Sequence, residues 1–176
     1  MRALGLAMVV LGALALVGCD DSTSTTITVD EAVKAGCAHF LAGPQTLLTA
    51  TATDEATTPL VTEHHHRYVA TLVKETVDTY AGYMKYAPTE AGRFLLMFTS
   101  DTPLTVTKAD GTVATPTRVE RALPECAEAR VIYEFDLHKV EYTLYIGPVM
   151  AAGLTMVVHL PPVAGGGSGA DAHGGH

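Results

Sequence analysis

The chain has few positive charges, which argues against the partners that need them. Its 176 residues contain 11 Lys and Arg against 19 Asp and Glu, giving a formal net charge of −8. Nucleic-acid binding requires a basic footprint, and adhesion to anionic lipid requires clustered Lys and Arg. We therefore expect no nucleic-acid partner and no membrane contact made by basic side chains.

Signatures of catalysis are also scarce. Apart from the serines near the two ends of the chain, the only serine is Ser100, so a serine nucleophile has little support. The chain contains no G-x-S-x-G elbow, no H-E-x-x-H motif and no phosphate-binding P-loop. Loop acids such as Asp54 and Asp101 could form a carboxylate pair, but such residues more often keep a domain soluble. The sequence therefore predicts a protein that is not an enzyme.

Long apolar runs are absent except at the N-terminus. The run from Ala3 to Val17 follows a single Arg2 and is shorter than the roughly 20 residues of a membrane-spanning helix. It ends in Leu16-Val17-Gly18-Cys19, which resembles the lipobox of bacterial lipoproteins. The resemblance implies cleavage of a signal peptide, residues 1–18, and lipidation of Cys19. An ordinary secretory signal with a chance cysteine is the alternative.

The lipobox resemblance also implies a location. The mature protein would be anchored by its N-terminal lipid in the bacterial cell envelope, on the periplasmic side of the inner membrane or in the outer membrane. Residues 19–28 would then be the lipidated cysteine and a polar tether, and residues 29–163 one domain. Residues 164–176 form a Gly- and His-rich tail, which we expect to be flexible.

Three cysteines are present, and none of them forms a close C-x-x-C pair. If Cys19 carries lipid, Cys37 and Cys126 remain as an even pair in an oxidising compartment, which predicts a disulfide. The long loop that it closes would make it worth about 4–5 kcal/mol at most. A metal pair is the weaker alternative, because structural thiolate sites usually contain closely spaced cysteines.

Hydrophobic periodicity predicts one short helix followed by strands. Thr28-x-x-Glu31 is a capping-box pattern, and Val33, Cys37 and Phe40 recur at helical spacing up to a break at Gly43-Pro44. From Gln45 onward the period becomes two, and eight or so short strands are separated by turn residues. These features predict a mostly β fold, an antiparallel, jelly-roll-like β-sandwich with one short N-terminal helix. Two hairpins are expected, turning at residues 109–111 and at His138-Lys139.

The second half of the chain resembles a known β-sandwich family. The motifs are Glu90-x-Gly92-x-Phe94, then Asp110-Gly111, then Tyr142-x-Leu144-x-Ile146. Together they resemble the small jelly-roll of bacterial pre-peptidase C-terminal domains over roughly residues 80–160. The chain departs from that family's pattern at residues 138–141, where a glycine usually precedes the aromatic residue. The resemblance implies an accessory or binding module and carries over no catalytic residues.

Histidines are the most promising binding residues. In His64-His65-His66, an extended backbone would place His64 and His66 on one side, about 7 Å apart, and His65 on the other. This H-x-H arrangement can hold Zn or Cu, with His39 as a third ligand. In the tail, His173 and His176 would form a loose capture arm. We expect affinity to fall as the pH drops through about 6–7, because only neutral imidazole binds metal.

Simpler interpretations of the histidines remain open. The His run can be a solvated loop and the tail an uninvolved end, while His138 and His159 are interpreted as a turn residue and a half-buried strand residue. The alternative function is a protein- or glycan-binding envelope module in which the histidines are incidental. Its first candidates are Tyr80, Tyr83 and Tyr86, since aromatic rings stack on sugars and anchor interfaces.

Overall fold

The first element is the helix expected from the sequence. The computed structural model describes residues 29–162 except Ala122, and it begins with α1 (Val29–Ala42). Ala32, Val33 and Phe40 are buried along one face of this helix. The Arg67 guanidinium donates to the Phe40 carbonyl at 2.5 Å, satisfying one of the carbonyls left free at the helix end. The predicted signal peptide, Cys19, the predicted tether and the predicted tail lie outside the described residues.

Twelve strands follow in the described part of the chain. They are β1 (Gln45–Thr49), β2 (Leu60–Val61), β3 (His66–Thr71), β4 (Val73–Lys74), β5 (Tyr80–Tyr86), β6 (Gly92–Phe98), β7 (Leu104–Lys108), β8 (Val113–Ala114), β9 (Arg118–Arg121), β10 (Val131–Leu137), β11 (Tyr142–Val149) and β12 (Gly153–His159). No helix among the described residues is long and apolar enough to cross a membrane.

The strands form two stacked sheets, which confirms the predicted β-sandwich with one short helix. Sheet A has the order β1-β3-β12-β6-β10-β9, and sheet B has the order β2-β5-β11-β7-β8, with β4 also pairing with β5. Most neighbours are antiparallel, but β1 pairs with β3 and β2 with β5 in parallel. The sheets are therefore mixed, because the chain leaves sheet A after β1, enters sheet B at β2 and returns as β3.

One of the two predicted hairpins is present and the other is wrong. Strands β7 and β8 pair antiparallel across residues 109–111, where Gly111 has a φ of +83° that suits glycine. Strands β10 and β11 follow one another closely but do not pair. Strand β10 pairs with β6 and β9 in sheet A, and β11 pairs with β5 and β7 in sheet B. The turn at residues 138–141 thus carries the chain from one sheet to the other.

Sheet A is covered on both faces, by sheet B on one side and by α1 on the other. Strand β6 shows this arrangement, since every residue from Phe94 to Phe98 is buried. Leu96 belongs to the core between the sheets, whereas Leu95 and Met97 belong to the core beneath the helix. Strand β12 follows the same alternation, with Val158 between the sheets and Val157 under the helix. His159 therefore falls on the side of sheet A that α1 covers.

Two features hold α1 close to sheet A. The sulfur atoms of Cys37 and Cys126 are bonded at 2.03 Å, which confirms the predicted pairing and ties the helix to the segment between β9 and β10. A Cβ atom at Gly36 would lie 2.6 Å from the Met97 sulfur and 3.3 Å from the His159 Cβ. The absence of a side chain at Gly36 thus lets the helix backbone approach the end of β12.

Candidate metal centre

Three histidines from separate elements meet at one end of the interface between helix and sheet. His39 is in the last turn of α1, His65 immediately precedes β3, and His159 ends β12. One ring nitrogen from each lies within 4.8 Å of the other two. Ligand nitrogens about 2.1 Å from a tetrahedral zinc ion are about 3.4 Å apart. The group, called the histidine triad below, could hold a metal ion after small side-chain movements.

His65 joins the triad because the backbone turns at that residue. Its φ is +58°, and its N–H donates to the Val158 carbonyl at 2.7 Å, so it is tied to the end of β12. The expectation of an extended backbone through the His run is wrong at this position, and so is the expectation that His65 points away from the site. A positive φ is uncommon outside glycine, and at a candidate ligand it favours a functional role.

The two histidines first expected as ligands lie outside the triad. The His66 Nε2 atom is hydrogen-bonded to the Thr46 hydroxyl at 2.8 Å. The His64 Nε2 atom is 3.9 Å from a Glu90 carboxylate oxygen, although the His64 ring also contacts that of His65. His39, the expected third ligand, is the one residue of that set which the triad contains. His173 and His176 lie outside the described residues.

His159 is the most deeply buried member of the triad. Its side chain is 2% exposed, whereas those of His39 and His65 are half-buried. Its Nδ1 atom is 2.9 Å from the His65 Nδ1 atom, but its Nε2 atom is buried and has no hydrogen-bond partner among the described residues. A buried polar atom left without a partner costs about 1–3 kcal/mol. The site therefore contains a nitrogen whose bonding capacity the protein leaves unused.

The triad is electrically neutral near physiological pH. Burial is the main cause that lowers the pKa of His159, to about 3, and nearby His65 and His39 lower it further. Burial also lowers the pKa of His65 and that of His39. Metal binding requires the neutral imidazole, which has a free lone pair. At pH 7 a metal ion therefore does not have to compete with a charged imidazolium form of these rings.

A cavity of about 470 Å³ lies next to the triad, and His65 is the triad residue that borders it. Its walls are His64, His65, Glu90, Ala91, Leu160, Pro161 and Pro162. His65 is thus shared between the triad and the cavity, while the buried His159 is not part of the cavity wall. Space for solvent or a small molecule is therefore available beside the candidate metal position.

A second group of candidate ligands is already engaged. Cys37, Cys126 and Glu128 also lie close enough to surround an ion. The two sulfur atoms are bonded to each other, so neither is the thiolate that metal binding requires. The histidine triad is the stronger of the two candidate centres.

The tyrosines expected to form an exposed recognition surface separate in the structure. Tyr86 is fully buried, so the expectation that it is exposed is wrong, and Tyr80 is partly buried against the core between the sheets. Tyr83 is half-buried in sheet B, and its ring centroid lies 5.0 Å from that of Tyr145. Only Tyr83, with Tyr145 as a new neighbour, remains a candidate for recognition.

His159 is the candidate ligand that the sequence analysis did not predict. Its position two residues after Val157 was visible, but only the presence of a helix on that face of sheet A makes the position buried. A single histidine closing an apolar strand run was the available signal. This histidine becomes a candidate ligand only because α1 packs on that face of sheet A and places His39 close to it.

Comparison with known proteins does not assign the chain. No protein-family model matches it, and no curated protein is significantly similar to it. The resemblances to lipoproteins and to pre-peptidase C-terminal domains stay predictions. The functional assignment therefore depends on the geometry of the histidine triad.

Proposed function

We propose that the protein is a non-catalytic, lipid-anchored envelope protein that binds a Zn or Cu ion through His39, His65 and His159. The observation that carries this proposal is the convergence of three neutral imidazoles, one nitrogen from each lying within 4.8 Å of the other two, with His159 deeply buried among them. Imidazole nitrogen is a good ligand for both metals. A bound ion would use the lone pairs that the folded chain brings together.

A purely structural role for the triad fits the contacts less well. In buried polar clusters that stabilise a fold, every polar group generally has a hydrogen-bond partner. One buried group without a partner costs more free energy than the hydrogen bonds of its neighbours contribute. Here the Nδ1 atoms of His65 and His159 can share one proton, which leaves the His159 Nε2 atom unmet. Leu or Phe at position 159 would fill the same layer without that cost. The histidine is better explained by a ligand that it binds.

The donor set limits the choice of metal. Three imidazoles without a thiolate suit Zn(II) and Cu(II), and for a given set of nitrogen ligands Cu(II) binds more tightly than Zn(II). We therefore expect both ions to bind at one site, Cu(II) with the higher affinity. The supply of each metal in the cell envelope would then decide which one occupies the site.

The cellular location in this proposal comes from the sequence. The lipobox resemblance at residues 16–19 supports a lipid anchor on Cys19, and residues 20–28, which are polar from Asp20 to Thr26, would form a tether that holds the domain off the membrane. His173 and His176 would then deliver ions to the triad or hold additional ones weakly.

Titration of the purified full chain tests the metal site. After removal of metal with a chelator, Zn(II) and Cu(II) are titrated by calorimetry at pH 7.5, and one tight site is expected. His39→Ala, His65→Ala and His159→Leu should each abolish this site or weaken it at least tenfold. Matched controls are His66→Ala, which removes a neighbouring histidine outside the triad, and His138→Ala, which removes an exposed turn histidine.

Each outcome of the titration discriminates between hypotheses. Loss of binding with His66→Ala but not with His159→Leu would refute this ligand set and favour the H-x-H pair. Loss only with His173→Ala and His176→Ala would move the site to the tail. No binding by the unaltered chain would remove metal binding as the function.

A second candidate function is recognition of a glycan by the Tyr83–Tyr145 pair. Beside the pair lies a cavity of about 250 Å³, whose walls include Lys74, Glu75 and Tyr145. The Tyr145 hydroxyl donates to Glu75 at 2.7 Å, and this hydrogen bond raises its pKa to about 12. Aromatic rings beside charged hydrogen-bonding groups suit a sugar. If Tyr145→Ala does not change binding to a panel of envelope oligosaccharides, this candidate is wrong.

A further inference from the structure

We propose that a metal ion held by the histidine triad keeps its fourth coordination position open toward the adjoining cavity. There it would bind an exchangeable small Lewis base, such as solvent or a small monoanion. This inference rests on the proposed metal-binding function and adds an exchangeable ligand to it. It concerns how the site is used, since a closed site stores an ion whereas an open one can also bind a small ligand.

The number of protein ligands is the first argument. Among the described residues, the group that can surround an ion at this position contains three imidazoles and no carboxylate or thiolate. Structural zinc sites usually have four protein ligands, whereas sites with exchangeable ligands have three and leave one position to solvent. The triad has the second composition.

The placement of the three rings gives the direction of the open position. His159 is buried at the end of β12, and His39 approaches from α1, so sheet and helix occupy two sides of the ion. His65 is the member of the triad that also borders the cavity. The open position would lie on this side of the ion, where His65 meets the cavity.

The cavity has the size and polarity for a small ligand. Its volume of about 470 Å³ far exceeds the roughly 30 Å³ that one water molecule occupies in the liquid. Leu160, Pro161 and Ala91 make much of the wall apolar, while His64 and Glu90 add polar groups. A divalent ion bound by three neutral imidazoles retains its positive charge and attracts anions. The Glu90 carboxylate opposes larger polyanions, so a small monoanion or water is favoured.

A closed site with a fourth protein ligand is the competing arrangement. His64 and Glu90 are near enough to be considered, since the His64 ring centroid is 4.7 Å from that of His65 and His64 is 3.9 Å from Glu90. Neither residue belongs to the group whose ligand atoms converge. Both face the cavity, where they can contact the exchangeable ligand instead of the ion.

Cobalt substitution with azide as the probe tests the inference on the full chain. Co(II) replaces Zn(II) in the stripped protein, and its visible absorption reports the ligands directly bound to the ion. We expect azide to change this spectrum saturably. Ala91→Phe, which places an aromatic ring in the cavity wall, should weaken azide binding at least tenfold and leave the cobalt affinity unchanged. Ala109→Phe, in the distant turn between β7 and β8, is the matched control and should behave like the unaltered chain.

The outcomes separate this inference from the proposed function. If the protein gives no bound-cobalt spectrum, the metal-binding function itself fails. If the spectrum is present but azide leaves it unchanged, the coordination is closed and the inference is overturned. If His64→Ala or Glu90→Gln removes the cobalt site, that residue is a fourth ligand and the inference is again overturned. An equal azide affinity in Ala91→Phe would show that the open position does not face this cavity.

Discussion

Replacing His159 with leucine should stabilise the metal-free protein while destroying its metal site. The imidazole is 2% exposed and has one unpartnered nitrogen, and leucine fills a similar volume without a polar atom. Removing an unmet buried polar group gains about 1–3 kcal/mol. Part of that gain is lost, because the Nδ1 atom of half-buried His65 loses its partner. We expect a net gain of about 1 kcal/mol in the free energy of unfolding at pH 7.5.

The same substitution should have a larger effect in acid. The pKa of His159 is about 3 in the folded chain and near its ordinary value of 6.5 when unfolded. Between these values the unfolded chain binds the extra proton, so the folded wild-type chain loses stability as the pH falls below 6.5. The loss is about 1.4 kcal/mol per pH unit, or about 2 kcal/mol at pH 5. Leucine cannot take up a proton, so the advantage of His159→Leu should grow to about 3 kcal/mol at pH 5.

Urea unfolding of the full chain in the presence of a chelator, at pH 7.5 and pH 5, measures both effects. The exposed variant His138→Leu serves as the control and should show no such growth in acid. The reasoning is refuted if the difference between His159→Leu and wild type stays constant across the two pH values. It is also refuted if the variant is less stable than wild type at both, because His159 would then be a satisfied structural residue.

The remaining predictions concern the ligands, the helix and the anchor. Burial lowers the pKa of all three triad histidines, so protons compete with the metal only at a lower pH than they would at exposed imidazoles. Calorimetry should therefore find a metal affinity that is nearly constant from pH 7.5 to 6 and falls only below pH 6. A steep fall in affinity above pH 6 would contradict this. Gly36→Val should cost about 1–3 kcal/mol in urea unfolding and weaken metal binding, since any Cβ there meets the Met97 sulfur. Joint replacement of Cys37 and Cys126 by alanine should cost about 2–5 kcal/mol and lower metal affinity, because the helix that carries a ligand loses its link; unchanged affinity would show that packing alone positions the helix. Mass spectrometry of the mature protein should find an acylated N-terminal Cys19, and Cys19→Ala should release the protein from membranes.

The sequence was sufficient to predict the fold class because its signals are local. Helical spacing in α1 and period-two patterns afterward follow directly from which side chains are apolar. The even pair of Cys37 and Cys126 likewise predicted the link between the helix and the rest of the domain. Which strands pair with which is a long-range property, and this is why the β10–β11 hairpin was wrong. A short turn between two apolar strands suits a hairpin and a crossing between stacked sheets equally well.

The candidate site was only partly predictable, for reasons specific to each residue. His39 was predicted as a ligand together with His64 and His66, whereas in the structure its ring lies beside those of His65 and His159. The prediction that His65 points away from the site was wrong because it applied the alternation of an extended strand to a residue that precedes β3 and has a positive φ. The burial of His159 depends on the helix covering sheet A, which no local pattern around residue 159 reveals.

The burial of His159 within the triad, which makes the metal-free protein less stable, should also couple metal binding to folding. The triad gathers ligands from α1, the start of β3 and the end of β12, so an unfolded chain cannot present them together. An ion that binds only the folded state stabilises it by about 2.7 kcal/mol at one hundred times its dissociation constant. That amount is comparable with the cost of burying an unpartnered imidazole. A bound ion would therefore offset the instability that the buried His159 imidazole introduces. The His159→Leu variant would lack that instability, and metal would no longer increase its free energy of unfolding.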